Sequence, residues 1–436
     1  MPPSPDGSSG PPDGETGGGR APFRVLTQMR GRRRDEAHRV STPLELFFDL
    51  SFAAAVAQAG QQLVHALADG EPGHGLSGYL LVFFAIWWAW VNFTWFASAY
   101  DTDDVPYRVA TLVQITGVLV LAAGVPRAFE HADYRVSVAG YLIMRVALTL
   151  QWLRAARGER RDGREAARRA ALTYVAALVV LEAGWVTLVL LPSPAWNYGV
   201  GPLVLAEMAA PAVAERRQRT PWHPGHIADR YGAFTIIVLG ESVAAATVAV
   251  QSALARETDL TELLPIAFGG LVIVFAAFWI YFATPVEEYL GSNSERQAFL
   301  WGYGHYVIFG SAAAIGAGLE VATEQVTGQS HISALAAALA VTVPTALFAV
   351  AVWLVHVRPF KHDIWQQLVF PASAALVLAA SLAGHWAVPL AGLAAAAGLA
   401  AAIALAARAA RATLAAGAAR AAGASRSGQW GYDGDS

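Results

Sequence analysis

Two carboxylates stand four residues apart in the apolar stretch LELFFDLSF, residues 44–52. Glu45 and Asp49 would lie one turn apart on one face of a helix, because residues i and i+4 are neighbours there. Ionisable groups within a membrane are expensive, and they mark ion pathways, proton relays or buried pairs. Glu45 has a second interpretation, since it follows a Ser-Thr-Pro sequence (41–43) and could cap the start of the helix.

A second pair of ionisable residues lies in HIADRYGAFTIIVLGES, residues 226–242. Arg230 and Glu241 are separated by roughly 16 Å along a helix, which prevents an ion pair within that helix. Each therefore needs a partner on another helix or in water. Glu241 lies deep in the apolar run and is the best single candidate for a proton or cation carrier. A packing role for a hydrogen-bonded Glu241 is the alternative.

Further ionisable residues occupy other apolar segments: Arg145, Glu182, Glu207, His305 and Glu320. Arg145 could neutralise Glu182 or Glu207 in a buried ion pair that stabilises packing, or it could act in transport. His305 could titrate near neutral pH, or be a hydrogen-bonded structural residue. Together with Asp229, residues Arg145, Glu182, Glu207 and His305 form a secondary set of candidates.

His223, His226 and Asp229 stand at three-residue steps, a spacing that could hold a metal ion. Pro224 and Gly225 interrupt the helical register, so we expect a cap at the start of a helix instead. The chain has no Cys, which excludes disulfides and thiolate metal sites. It also has no Gly-rich phosphate loop and no HExxH motif. The sequence therefore predicts no metal, no cofactor and no catalytic residue set.

The composition places these residues in a membrane protein. Of 436 residues, 55% are hydrophobic and 14% are charged, whereas soluble domains carry about 25% charged residues. Twelve segments reach the length of about 20 residues that a spanning helix needs. They lie near 44–66, 76–99, 107–125, 134–153, 171–191, 196–214, 230–253, 264–284, 299–322, 332–356, 365–384 and 386–408. The prediction is an all-α, polytopic integral membrane protein with about twelve transmembrane helices.

Positive charge indicates the orientation of these helices. With a cytoplasmic N-terminus, three Arg-rich connections lie inside: 154–169, 215–219 and 357–363. The connections assigned outside hold only Arg127, Arg135 and Arg256. Because cytoplasmic loops carry the excess of Lys and Arg, we predict that both termini are cytoplasmic. The basic clusters are expected to contact membrane lipids and not nucleic acid.

The two halves of the chain resemble each other. FFAIWWAWVNFTWF (83–96) is similar to VFAAFWIYFATP (274–285), and Asp49 falls opposite Glu241. This pattern predicts two parallel six-helix repeats, although chance similarity of apolar helices is an alternative. The predicted organisation is a disordered basic cytoplasmic arm (1–40), a first repeat (41–214), a cytoplasmic connection (215–229), a second repeat (230–410) and a disordered cytoplasmic tail (411–436).

The stretches STPLELFFDLSFAAAVAQ and HIADRYGAFTIIVLGESV resemble the bacterial low temperature requirement protein A family. Its members typically carry E-L-F-F-D-L and a later E-R-F-x-x-F-T-I-I-x-L-G-E block. The first motif is matched in full from Glu45 to Leu50. In the second, Asp229 replaces Glu and Tyr231 replaces Phe. The resemblance implies a multi-pass protein of the bacterial inner membrane, and it brings no settled substrate or mechanism.

Three functions are compatible with these features. A secondary transporter or ion-translocating protein would use Glu45, Asp49, Arg230 and Glu241 as its polar site, with a proton, a cation or another small molecule as substrate. A membrane-embedded lipid-modifying enzyme would use the same residues for acid–base chemistry. A non-catalytic scaffold or sensor would use them only to pair helices. Transport is favoured over an enzyme because no nucleophile or metal constellation is visible.

Overall fold

The computed structural model describes residues 25–32, 40–216, 218–255, 260–284, 286–292, 295–359 and 363–428, and this part of the chain is helical without strands. The helices are α1 (Pro43–Ala68), α2 (Pro72–Tyr100), α3 (Val105–His131), α4 (Arg135–Arg161), α5 (Glu165–Leu190), α6 (Ser193–Ala214), α7 (Pro224–Ala255), α8 (Leu260–Phe282), α9 (Val286–Ser292), α10 (Glu295–Val326), α11 (Ala334–Val352), α12 (Ile364–Ala380) and α13 (Ala387–Gly428). A π-helical turn, Trp353–Val357, follows α11, and a 3₁₀ turn, Ser381–Trp386, joins α12 to α13.

The all-α, multi-pass prediction is confirmed, whereas the number twelve stays a prediction. Each predicted segment coincides with a helix, and the short helix α9 is additional. By length and composition, nine helical segments among the described residues could cross a membrane. Helices α1 and α6 are not among these nine, and residues 364–418 form one segment of 55 residues. Gly384, with φ 62°, interrupts the helical backbone within that segment, between α12 and α13.

The starts of α1 and α7 follow from capping chemistry. Thr42 Oγ1 accepts a hydrogen bond from the Glu45 amide (3.3 Å), and the Glu45 carboxylate accepts one from the Thr42 amide (2.8 Å). This reciprocal pair is a capping box, so the capping interpretation of Glu45 is confirmed. At α7, His223 Nδ1 accepts from the His226 amide (3.2 Å), as expected for a cap at the start of a helix.

Helix α1 lies at the centre of the bundle, packed against α2, α3, α7 and α10. In the first half, α3 packs on α4, α4 on α5 and α5 on α6. In the second half, α10 packs on α11, α11 on α12 and α12 on α13. Glycine permits the close crossing of α3 and α4, because a Cβ at Gly140 would clash with the Leu121 backbone.

Residues 25–32, which belong to the predicted disordered arm, pack against the helices. This segment is not helical, and Met29 is buried with 2% of its surface exposed. The Thr27 amide donates a hydrogen bond to Asp104 (2.9 Å), and the Gln28 side chain donates one to Asp162 (2.9 Å). Residues 1–24 and 33–39 of the predicted arm lie outside the described residues.

Two helix bounds differ from the predicted segment boundaries. Helix α7 begins at Pro224, six residues before the predicted start of the second repeat at 230. Helix α13 continues to Gly428, so residues 411–428 are helical and not disordered. The reason is composition, because Ala has the highest helix propensity and the segment is rich in Ala. Residues 429–436 lie outside the described residues.

Candidate functional site

Asp49 of α1 and Arg230 of α7 form a bidentate ion pair. Arg230 Nε donates to Asp49 Oδ2 at 2.8 Å, and an Arg230 terminal nitrogen donates to Oδ1 at 2.5 Å. From α2, Trp90 Nε1 donates to the same Oδ1 at 2.6 Å. All three side chains are fully buried. Charge-assisted bidentate pairs are short and directional, so this pair fixes α1, α2 and α7 against one another.

Glu45 extends this arrangement by one helical turn. Its Oε1 lies 3.4 Å from an Arg230 terminal nitrogen and 3.2 Å from His226 Nε2. Glu45, Asp49, His226 and Arg230 are called the charge cluster below, and each is fully buried. The cluster contains two carboxylates, one guanidinium and one imidazole, so it is electrically neutral when His226 is protonated. The capping carboxylate of α1 therefore also contacts α7.

Glu241 lies apart from the charge cluster, about three turns further along α7. It lines a cavity of about 190 Å³ between α1, α7 and α10, together with Gln61, Ser242 and Glu320. Gln61 Nε2 donates to Glu320 Oε2 at 2.9 Å. Glu241 is partly buried, and no side chain among the described residues hydrogen-bonds its carboxylate. The remaining lining consists of small and aliphatic residues: Val56, Ala57, Gly60, Ala244, Ala245, Val248, Ala313, Gly316 and Ala317.

This space is called the carboxylate cavity below. The structure thus brings Glu45, Asp49 and Arg230 together and places Glu241 in a separate environment. It adds Glu320 and Gln61 as neighbours of Glu241 across the cavity. Glu320 was one of the ionisable residues found in apolar segments, but no sequence spacing indicated that this residue of α10 lies near Glu241 of α7.

Among the secondary candidates, Arg145 and Glu207 form a buried ion pair with a nitrogen–oxygen distance of 2.8 Å. The indoles of Trp88 and Trp185 donate to the Glu207 carboxylate at 2.8 and 3.3 Å. Glu207 is thus the partner of Arg145. Glu182 is also buried, and neither of its carboxylate oxygens has a hydrogen-bond partner among the described residues.

Asp229 and His305 have local partners of their own. Asp229 is exposed and accepts hydrogen bonds from the Ser41 amide and hydroxyl at 2.9 and 2.5 Å. His305 is buried beside His356 and Tyr281. The three residues spaced for a metal therefore have different roles, since His223 caps α7, His226 contacts Glu45 and Asp229 contacts Ser41.

The family model of the bacterial low temperature requirement A protein matches residues 40–419. The chain belongs to this family. It is also similar to an uncharacterized protein of Rhizobium meliloti (strain 1021), with 28% identity over 284 residues. That alignment covers 61% of this chain and 65% of the relative, less than two thirds of the relative's length.

In this member of the low temperature requirement A family, the two sequence motifs meet in space. Glu45 and Asp49 come from the E-L-F-F-D-L block, and Arg230 comes from the second block, 181 residues later than Asp49. The end of the second block supplies Glu241 to the carboxylate cavity. Sequence reasoning missed Trp90 and His226 as members of the site. Trp90 lies in a run of aromatic residues, so nothing in the sequence distinguished it from its neighbours. His226 was noticed only for its spacing to His223 and Asp229, as a possible metal ligand.

Proposed function

We propose that this chain is a secondary transporter or ion-translocating protein, and that Glu241 and Glu320 bind a proton or a monovalent cation in the carboxylate cavity. The observation that carries the proposal is the state of Glu241. Its carboxylate lines a cavity of about 190 Å³ within an apolar helix and has no hydrogen-bond partner among the described residues. An intramembrane carboxylate without a protein partner is a functional-site hypothesis by default.

The lining of the carboxylate cavity supports a proton or a hard cation as the substrate. Glu241 and Glu320 supply carboxylate oxygens, and Gln61 supplies an amide, so the polar atoms are mainly oxygens. No Lys or Arg lines the cavity. Hard cations prefer oxygen ligands, and a carboxylate without a neighbouring cation also gains or loses a proton readily. An anionic substrate is disfavoured by the same charges.

The charge cluster has a positioning role in this proposal. Asp49 is fully buried and accepts two hydrogen bonds from Arg230 and one from Trp90, so its carboxylate is engaged by partners within the protein. Its effect is to hold α7 against α1, and these two helices form two walls of the carboxylate cavity. The proposed transport site is therefore narrower than the four-residue set expected from the sequence, and it centres on Glu241.

The parallel six-helix repeat is part of the proposal. The same packing order in the two halves supports it, and the carboxylate cavity lies between α1 of the first half and α7 and α10 of the second. Transporters with parallel repeats bind substrates near the interface between halves. Equivalent positions have different surroundings, because Trp88 is 1% exposed and Trp279 is 57% exposed. The proposed symmetry therefore relates the arrangement of the helices and does not extend to the surroundings of equivalent side chains.

We also propose that both termini face the cytoplasm in the bacterial inner membrane. The Arg-rich segment 154–169 spans the end of α4 and the start of α5, and the segment 215–219 follows α6, both at the end of the bundle where α1 and α7 begin. Placing that end inside satisfies the positive-inside rule. The carboxylate cavity then lies between the middle of the membrane and its outer surface, since Gln61 and Glu320 are in the later parts of their helices.

The test is ion flux in liposomes that contain the purified protein and an internal pH dye, under Na⁺, K⁺ and proton gradients applied in turn. Wild type should show flux under at least one gradient. Glu241→Gln should reduce that flux at least about tenfold, because the neutral amide cannot exchange a proton or pair with a cation. Glu130→Gln, which changes an exposed carboxylate at the end of α3, is the matched control and should retain wild-type flux.

A scaffold or sensor is the second candidate, and the extent of internal pairing favours it. Asp49 pairs with Arg230 and Glu207 pairs with Arg145, both within the protein. This candidate predicts that wild-type, Glu241→Gln and Glu130→Gln vesicles give the same trace as protein-free vesicles under all three gradients. That result would overturn ion translocation.

A further inference from the structure

A second buried polar site lies in the other half of the bundle, formed by α8, α10 and the π-helical turn after α11. Tyr281 Oη lies 3.1 Å from His305 Nε2, and His356 Nε2 lies 3.2 Å from the same His305 nitrogen. Tyr281, His305 and His356 are 4%, 0% and 1% exposed. None of these residues belongs to the charge cluster or to the carboxylate cavity.

Backbone carbonyls orient both imidazoles. His305 Nδ1 lies 2.7 Å from the Trp301 carbonyl oxygen, and His356 Nδ1 lies 3.4 Å from the Tyr281 carbonyl oxygen. A carbonyl only accepts hydrogen bonds, so when each Nδ1 donates to its carbonyl oxygen, each Nε2 presents a lone pair. These two lone pairs face each other across 3.2 Å. In that tautomer the two lone pairs repel each other unless a proton or a metal ion lies between the nitrogens, and the Tyr281 hydroxyl is the third donor atom within reach of His305 Nε2.

The local backbone produces this juxtaposition. His356 lies within the π-helical turn Trp353–Val357, which changes the register of the residues that follow α11. Single π-helical turns inside longer helices occur frequently at functional sites. His305 lies on the straight helix α10, one turn after Trp301, whose carbonyl orients it. The site therefore depends on an irregularity that hydrophobic packing alone does not require.

We propose that Tyr281, His305 and His356 bind one transition-metal ion, with Zn²⁺ as the reference ion. Zinc binds imidazole nitrogen and oxygen at about 2.0–2.2 Å in tetrahedral geometry, so its ligand atoms lie roughly 3.3 Å apart. The donor separations of 3.1 and 3.2 Å match that spacing. Histidine ligands usually donate their other ring nitrogen to a carbonyl or carboxylate, as both do here.

The remaining chemistry of the site is consistent with this assignment. Neutral imidazole is the form that binds metals, and a neutral ring that donates from Nδ1 to a carbonyl oxygen keeps Nε2 for the metal. The Tyr281 hydroxyl binds as a phenolate, and its proton is released to solvent when the metal enters. The described residues contain no group of three or more His, Cys, Asp and Glu suited to a metal. The third ligand proposed here is a tyrosine, a residue type outside that set.

The test is zinc binding by the full-length protein, purified in detergent without a polyhistidine tag and freed of metal with a chelator. Calorimetry should give one Zn²⁺ per chain for wild type. His305→Gln and His356→Gln should each weaken binding more than about 100-fold, because changes in outer-shell partners alone cost about 10–100-fold. His385→Gln removes an exposed histidine from the same half of the chain and should bind as wild type does.

X-ray absorption of the zinc-loaded wild type keeps the test independent of variant folding. Two imidazole ligands and one oxygen ligand at about 2.0–2.2 Å are expected. The proposal is overturned if wild type binds no Zn²⁺ at one per chain, if imidazole scattering is absent, or if folded His356→Gln binds as tightly as wild type. The proposal does not rest on ion translocation, because the flux assay contains no transition metal and its variants leave this site unchanged.

Discussion

The charge cluster and the carboxylate cavity lie along the same two helices, α1 and α7, but the carboxylates in them have opposite surroundings. Asp49 accepts three hydrogen bonds, two from Nε and one terminal nitrogen of Arg230 and one from Trp90. Glu241 accepts none from side chains of the described residues and borders open space. Hydrogen-bond donors of the protein surround the Asp49 carboxylate, whereas the cavity beside the Glu241 carboxylate has room for another atom.

The comparison shows that one helix interface can hold one carboxylate in an ion pair and another carboxylate without a counter-charge from the protein. Desolvating a charge is costly, and a buried ion pair recovers that cost only with good geometry and complete hydrogen bonding. The pair at Asp49 has bidentate geometry, and the second terminal nitrogen of Arg230 lies 3.4 Å from Glu45 Oε1, so the protein supplies the counter-charge at this site. At Glu241 the protein provides no counter-charge, so a bound proton or cation would provide it. The predictions below test this distinction, from the largest expected change in unfolding free energy to the smallest.

Breaking the ion pair should have the largest effect. Asp49→Asn and Arg230→Gln should each lower the free energy of unfolding by about 3–5 kcal/mol, because each leaves one buried charge without its partner. Reversible unfolding in mixed detergent micelles, followed by circular dichroism, measures this change. The double variant should lose less than the sum of the two single variants, since it removes both charges. Strictly additive losses would show that the pair is not a unit.

Asp104, outside the membrane-spanning helices, offers a closed carboxylate whose titration can be followed. Burial alone would raise its pKa, but hydrogen bonds from the Arg154 guanidinium and from two backbone amides hold the pKa below its ordinary value of 3.8. The ionised form therefore stabilises the fold at neutral pH, and this contribution is lost as the pH falls below 3.8 through the lowered pKa.

Asp104→Asn should accordingly lower the free energy of unfolding by about 1–2 kcal/mol at pH 7, because hydrogen bonds to charged groups are the stronger ones. The difference from wild type should shrink on acidification. Thermal unfolding of both proteins between neutral and acidic pH checks this expectation. A difference that stays constant across the whole range would exclude the carboxylate charge as its source.

Filling the carboxylate cavity should have the smallest effect on stability and a large effect on transport. A Cβ at Gly60 would meet no atom within 4 Å, so Gly60→Leu enters open space at the cavity wall. Replacing a helical glycine also gains up to about 1 kcal/mol of helix propensity, so the unfolding free energy should change by less than about 1 kcal/mol. Flux in the liposome assay should fall at least about tenfold.

Gly417→Leu is the matched control for cavity filling. Gly417 also has open space around its Cβ position and lies on an exposed part of α13, away from the carboxylate cavity. It should keep both wild-type stability and wild-type flux. If Gly60→Leu transported as well as Gly417→Leu, the cavity would not be part of the ion path.

The sequence predicted the helices well, because length and apolar content determine them. It also predicted that Arg230 needs a partner outside its own helix, and it gave Glu182 and Glu207 as possible partners of Arg145 beside a transport role. Capping at Thr42 and His223 followed from local residue types. Each of these features depends on neighbours in sequence or on a strong electrostatic requirement.

Contacts between distant helices could not be predicted in the same way. The approach of Glu320 to Gln61 and of His356 to His305 depends on helix rotation and packing. For His356 it also depends on a π-helical turn. The ordered segment 25–32 was missed because its low hydrophobicity resembles that of disordered chains, although specific bonds to Asp104 and Asp162 hold it. A single sequence indicates that a buried charge needs a partner, but it does not identify the distant residue that provides the opposite charge.

The ion pair between Asp49 and Arg230 also has a consequence for biosynthesis. The two residues are 181 positions apart in the chain. At about 5–20 residues per second, the ribosome needs roughly 10–40 s to make the intervening segment. During that interval α1 is already in the translocon or the bilayer with Asp49 uncompensated. The link between Asp49 and Arg230 therefore forms only after α7 has been made, so α7 sets the earliest time at which α1 can adopt its final position.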